Sequence, residues 1–172
     1  MRKQKGFSLI ELLIVVAIIL IIAAIAIPNL MKSKQAANHA AGAANTRTMI
    51  TSEHTFSTLY FGPQGYFADT LARLGPPAVG VAPSSAASGL LDIVLGCAAM
   101  PCSKDNYQYT ISPIGAWPTV TDYVTFATAV GPNYGVQDFC ASSDGVVRMQ
   151  VVTAPPTAPF TTVAACTALN PL

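Results

Sequence analysis

Charge is scarce in this sequence: 9 Lys+Arg stand against 8 Asp+Glu, and charged residues make up only 10 % of 172 residues. That excludes a disordered acidic or basic tail and leaves no basic stripe, so DNA binding is not indicated. Catalytic signatures are missing too, with no G-x-S-x-G, P-loop, H-E-x-x-H, EF-hand or G-x-G-x-x-G pattern. The acids after Tyr60 (Asp69, Asp92, Asp105, Asp122, Asp138 and Asp144) stand singly, which offers no carboxylate pair for acid–base work. No enzyme activity and no cofactor are therefore expected. His39 and His54 lack any Cys or acid at a ligand spacing, so they read as surface or interface histidines, and no metal site is expected. Calcium at Asp105, Asn106 or Asp122 is a weaker reading than plain turn chemistry around Lys104-Asp105-Asn106 and Asp144-Gly145.

What the chain has in excess is apolar: 52 % of residues are hydrophobic, and one run carries much of the surplus. From Phe7 to Ile27 the sequence reads FSLIELLIVVAIILIIAAIAI, with Glu11 as its only charge. As a helix it would be roughly 30 Å long, about one hydrocarbon core. Its 15 Leu, Ile, Val and Phe residues would contribute on the order of −5 to −9 kcal/mol to insertion, against about +3 kcal/mol for the acid. Insertion wins. Arg2, Lys3 and Lys5 precede the run without an acid, which favours a cytoplasmic N-terminus, although Lys32 and Lys34 weaken the bias.

Two plain readings of this end are a secretory signal peptide, with Ala24-Ile25-Ala26 as cleavage site, and a simple membrane anchor. The run is longer than a usual signal-peptide core, and an anchor leaves Glu11 unexplained. A third reading accounts for both. Lys5-Gly6-Phe7-Ser8-Leu9-Ile10-Glu11-Leu12-Leu13-Ile14-Val15-Val16, followed by Ile27-Pro28-Asn29, resembles the processing signal of type IV pilins and type II secretion pseudopilins. The resemblance implies cleavage between Gly6 and Phe7 by a prepilin peptidase, which also N-methylates Phe7. It further implies that Glu11 pairs with the Phe7 ammonium of a neighbouring subunit. Loss of residues 1–6 would leave six basic side chains against eight acids.

Pattern and resemblance together divide the chain into a leader (1–6), a transmembrane or filament-core half-helix (7–28), and a remainder (29–172) holding the second half of the helix and a globular head. One helix is expected from about residue 7 to about residue 60, kinked or locally melted at Pro28 and weakened at Gly42. Ala37, Ala41, Ala44, Thr48 and Thr51 follow a three–four spacing that suits a face packed closely on another layer, with Met49, Phe56 and Leu59 nearby. Lys32, Lys34, Arg47 and Glu53 read as a solvated or subunit-facing side.

After Tyr60 the composition turns rich in Pro and Gly. Residues 75–85 read as a surface loop, and Ser88–Gly96 as a short helix capped by Ser88 and stopped by Gly96. Strands are expected at Tyr107–Ser112, Tyr123–Val130 and Val146–Val152. Trp117, Tyr107, Tyr109, Tyr123 and Tyr134 read as sheet packing rather than a binding stripe. The fold class is thus α+β, a small antiparallel sheet packed on the second half of the helix. Pilins share that arrangement, and Phe139–Arg148 also resembles their penultimate strand, turn and last strand.

Four cysteines, Cys97, Cys102, Cys140 and Cys166, lie on the presumed outer side; an even count there favours two disulfides, with three connectivities open. Zinc fits poorly, since there is no second close pair and neither His is near in sequence. Cys97–Cys102 and Cys140–Cys166 is the pairing adopted. The first closes the turn Cys-Ala-Ala-Met-Pro-Cys, and the second ties the Pro/Thr-rich tail to the sheet, much as pilins pin their C-terminal loop.

The resemblance implies a structural filament subunit, held as a single-pass inner-membrane protein and then polymerised into an extracellular pilus for adhesion, twitching motility or DNA uptake. Its implied partners are further copies of itself, the prepilin peptidase and methyltransferase, an assembly platform with a cytoplasmic ATPase, and membrane lipid before assembly. A type II secretion pseudopilin is the alternative within that class. A monomeric exported or membrane-anchored binding protein is the alternative outside it.

Overall fold

The computed structural model describes residues 7–172, so the expected leader 1–6, including Gly6, lies outside the described residues. The chain divides between Lys34 and Gln35 into two compact units, although one helix, α1 (Leu9–Tyr60), belongs to both. Pro28 lies inside that helix. The first unit contributes the apolar run of α1, and its Leu, Ile and Val side chains are all exposed.

In the second unit a single six-stranded antiparallel sheet follows the helix. Its strands are β1 (Cys102–Lys104), β2 (Tyr107–Ile114), β3 (Asp122–Ala129), β4 (Gln137–Ser142), β5 (Arg148–Val151) and β6 (Asn170–Pro171), lying side by side in chain order. Short helices α2 (Leu71–Leu74) and α3 (Val163–Thr167) flank it. This is an α+β, pilin-like architecture. Period-two alternation sorts the strand residues to two faces. Tyr107, Tyr109, Ile111, Tyr123, Ala127 and Phe139 join the core that holds Ala43, Met49 and Phe56 of α1. Val124, Phe126 and Cys140 point the other way, where Cys166, Phe160 and Val163 of the tail cover them. β3 is consequently buried on both faces.

The face of α1 that meets the sheet is not the alanine face. Asn38, Gly42, Thr46, Met49, Glu53 and Phe56 are buried, whereas Ala37, Ala44, Thr48 and Thr51 are exposed and Leu59 is 63 % exposed. Apolarity misjudged the face because the polar residues in the buried stripe find partners there. Asn38 Nδ2 donates to the Tyr134 carbonyl at 2.7 Å, and Thr46 Oγ1 to the Gly42 carbonyl at 2.9 Å. Next to the stripe, Ser52 Oγ donates to the Leu90 carbonyl at 3.3 Å. The exposed Thr48, Thr51 and Thr58 need no outside partner, since each hydroxyl donates to the carbonyl four residues back, at 2.9–3.1 Å. Gly42 is a contact point as well as a weak helix former. A Cβ there would lie 3.0 Å from the Phe139 ring and 3.1 Å from Tyr107, so its absence lets helix and sheet close together.

Ser88–Gly96 is not a helix. Asp92 Oδ1 accepts the backbone N–H groups of Val94 (2.8 Å) and Leu95 (3.0 Å), and a side chain satisfying the backbone in this way competes with helical pairing. The turn is pressed against the end of α2: a Cβ on Gly75 would fall 2.4 Å from the Gly96 carbonyl oxygen. Gly75 is therefore buried, while most of residues 76–84 are exposed.

Candidate functional site

The candidate site is the N-terminal apolar segment and the groups at its start. Ser8 immediately precedes α1, and Glu11 lies in the first turn. The Glu11 carboxylate folds back, so that Oε2 accepts the Ser8 backbone N–H at 2.9 Å. Early N–H groups of a helix lack intrahelical acceptors, and a carboxylate at the third position satisfies one of them and complements the helix dipole. The S-x-x-E spacing of Ser8 and Glu11 carries that signal in the sequence, alongside the intermolecular role argued for the acid. Glu11 forms no ion pair among the described residues.

From Phe7 to Ile27 the large apolar side chains are 46–80 % exposed, so nothing within the chain covers them. The helix is long and apolar enough to cross a membrane. Burying Leu, Ile and Val requires lipid or other apolar helices, because this much exposed apolar surface far exceeds what a lone soluble chain tolerates. A carboxylate at one end of such a surface demands a cation or a hydrogen-bond donor wherever the surface is buried.

The sequence comparisons agree with that arrangement. Residues 1–27 match the family model described as the prokaryotic N-terminal methylation motif. The chain is 32 % identical over 123 residues to the type IV major pilin protein PilA of Myxococcus xanthus, an alignment covering 62 % of this chain and 52 % of that one. Over these stretches the chain is similar to type IV major pilins. Over 38 residues it is 63 % identical to the type IV wide pilus major component PilA4 of Thermus thermophilus, covering 22 % of the chain and 29 % of that protein. It thus spans about half the length of the first relative and under a third of the second. No solved structure matches it.

The second unit carries the other residues singled out in the sequence. Cys97 is bonded to Cys102, and Cys140 on β4 to Cys166 on α3. No group of three or more His, Cys, Asp or Glu side chains that could hold a metal occurs among the described residues. Trp117 is half-buried with the Arg73 guanidinium 3.5 Å from its ring centroid, a cation–π contact within the fold. Tyr107, Tyr109 and Tyr123 are fully buried, whereas Tyr134 is exposed.

Two titratable residues differ from the sequence reading. Glu53, placed on a solvated or subunit-facing side, is fully buried within the chain. Its Oε2 accepts the Ala68 N–H at 2.9 Å, while Oε1 and the Tyr123 hydroxyl have no hydrogen-bond partner among the described residues. Burial pushes its pKa up to about 8, with the nearby Asp69 charge adding to the rise. His39 is half-buried, and its Nε2 accepts the Val136 N–H at 3.0 Å. Burial holds its pKa below the usual imidazole value. With Gln35 and Asn38, which donate to the carbonyls of Pro132 and Tyr134, it stitches the β3–β4 loop to α1. These partners lie about a hundred residues away in sequence, beyond the reach of any local pattern.

Proposed function

We propose that this chain is a structural subunit of a type IV pilus, stored in the membrane through residues 7–28 and polymerised through the same segment. The observation that carries the reading is the uncovered apolar segment from Phe7 to Ile27, attached in sequence to a head with its own closed core. Lipid and a helix bundle offer that surface equivalent apolar surroundings, so assembly exchanges one for the other at little cost in hydrophobic burial. The Glu11 charge supplies the selectivity. Cleavage between Gly6 and Phe7 creates a new ammonium, and pairing it with Glu11 of a neighbour offsets the desolvation of both groups and fixes the axial register. Prepilin peptidase makes that cut and methylates Phe7, and an inner-membrane platform with its cytoplasmic ATPase moves the processed chain from the single-pass membrane pool into the extracellular filament. Names of the relatives as major pilin components support this reading.

N-terminal sequencing and intact mass of sheared surface material test it. A chain starting at methylated Phe7 and sedimenting as filaments is expected. A chain starting at Ile27, or one staying monomeric in the presence of the processing enzyme, would overturn the proposal.

A further inference from the structure

The unit Gln35–Leu172 contains four cations and seven acids. Three of those cations pair within the chain: Arg73 with Asp69, Lys104 with Asp92 at 2.5 Å, and Arg148 with Asp144 at 2.6 Å. Among the remaining acids, Glu53 and Asp138 are fully buried. Asp122 is half-buried and accepts the N–H groups of Tyr123 (2.7 Å) and Ser143 (3.3 Å). One exposed cation, Arg47, and one exposed acid, Asp105, are left without an ion pair among the described residues.

They cannot pair within one copy. Asp105 Oδ2 accepts from Asn45 Nδ2 at 3.0 Å, so this acid sits beside the Asn45 side of α1. Arg47 is two residues further along the helix, a rotation of roughly 200° that puts it on the opposite side. Each copy therefore presents a cation on one flank of α1 and an anion on the other. Arg47 opens into a groove of about 400 Å³ lined also by Ile50, Thr51 and Val147, which leaves room for a partner's side chain. Asp105 is held outward on the tight β1–β2 turn, where Asp105 and Asn106 both take positive φ.

We propose that Arg47 of one copy forms an ion pair with Asp105 of another, as a heterologous contact between pilin heads. The inference deepens the pilus-subunit reading and rests on it. Two different patches that complement each other generate an open, repeating assembly rather than a closed pair, which is the geometry a filament requires. The planar guanidinium suits a carboxylate partner in two-pronged geometry. Since like charges facing each other at an interface are strongly unfavourable, reversing one charge is a more sensitive probe than deleting it.

The test expresses the full chain in an assembly-competent host lacking its own pilin and measures sheared filaments against the membrane pool. Arg47→Asp and Asp105→Arg should each lower filament yield by roughly tenfold or more, and the double exchange should bring it back to within about threefold of the original. A double variant no better than the worse single one, or a single reversal that assembles normally, overturns the pairing. Intact mass showing both disulfides checks that each head has folded. If a reversal prevents folding, Arg47→Gln and Asp105→Asn replace it. Both neutral variants should then give filaments whose yield has lost part of its dependence on salt, and an unchanged salt dependence overturns the pairing. Failure of the unaltered chain to form any filament would instead remove the pilus reading itself.

Discussion

Glu53→Gln isolates the energetic consequence of burying an acid in the head. Folded, Glu53 keeps its proton up to about pH 8; unfolded, it releases that proton near 4.5. Between those values the unfolded chain binds fewer protons, so stability is fully present below 4.5 and declines as pH rises through 8. At about 1.36 kcal/mol per pKa unit, the loss from pH 6.5 to pH 8.5 is about 2 kcal/mol for this one group. For a head of this size that corresponds to a fall in Tm of roughly 6–10 °C. The isosteric amide cannot ionise, so the variant should show a nearly flat profile across the window. Thermal unfolding of the full chain in detergent, followed by near-UV circular dichroism at both pH values, measures the difference. His39 is present in both proteins, so its contribution cancels from the comparison. Parallel slopes for the two proteins would refute the argument, because they would mean that Glu53 is already ionised in the folded head.

Four further outcomes are expected. Glu11→Ala should leave membrane insertion intact but sharply reduce filament yield, read from the ratio of membrane-bound to sheared material. Gly42→Val should destabilise the head by about 1–3 kcal/mol in denaturant titration, since the added methyls meet the fully buried Phe139 and Tyr107 rings. Replacing Cys140 and Cys166 together by Ser should cost about 3 kcal/mol in the same titration, from the loop-closure entropy of a bridge with a sequence separation of 26. His39 has the opposite pH sign to Glu53: its folded pKa is depressed, so its contribution is present above 6.5 and is lost as pH falls. The protection factor of the Val136 amide, its exchange rate relative to that of an unstructured peptide at the same pH, should therefore fall on acidification, and His39→Gln should remove that fall.

Much of the fold was legible because it rests on composition with a strong local cause. The helix announced itself through an uninterrupted apolar run and the lack of proline between Pro28 and Pro63, and it ends at Tyr60, next to the first turn residues. Strands β2 and β3 followed from their Tyr, Val, Thr and Phe content. Elements of three and two residues, such as β1 and β6, carry no periodic signal at all. β5 starts only at Arg148 because Asp144 Oδ1 takes the Val146 N–H into its turn. The sheet-facing stripe of α1 was misread for a related reason: Asn38 and Glu53 look solvent-facing until their partners beyond the helix are known, and Thr46 until its hydroxyl is seen to bond back to the Gly42 carbonyl. At the N-terminal site the acid and its unusual setting were visible, whereas the S-x-x-E spacing that binds Glu11 to Ser8 went unread beside the intermolecular role.

The order of strands in the sheet is also their order along the chain. A polypeptide delivered from its N-terminus would therefore find each incoming strand's first neighbour already in place, and none would have to wedge between two others. Such nearest-neighbour growth keeps the loops closed at each step short, which favours rapid maturation. The helix surface around Gly42 is laid down before any strand, ready as a template. The Cys140–Cys166 bridge can form only after β4 has emerged, so it works as a latch on a finished object rather than a guide for an unfinished one.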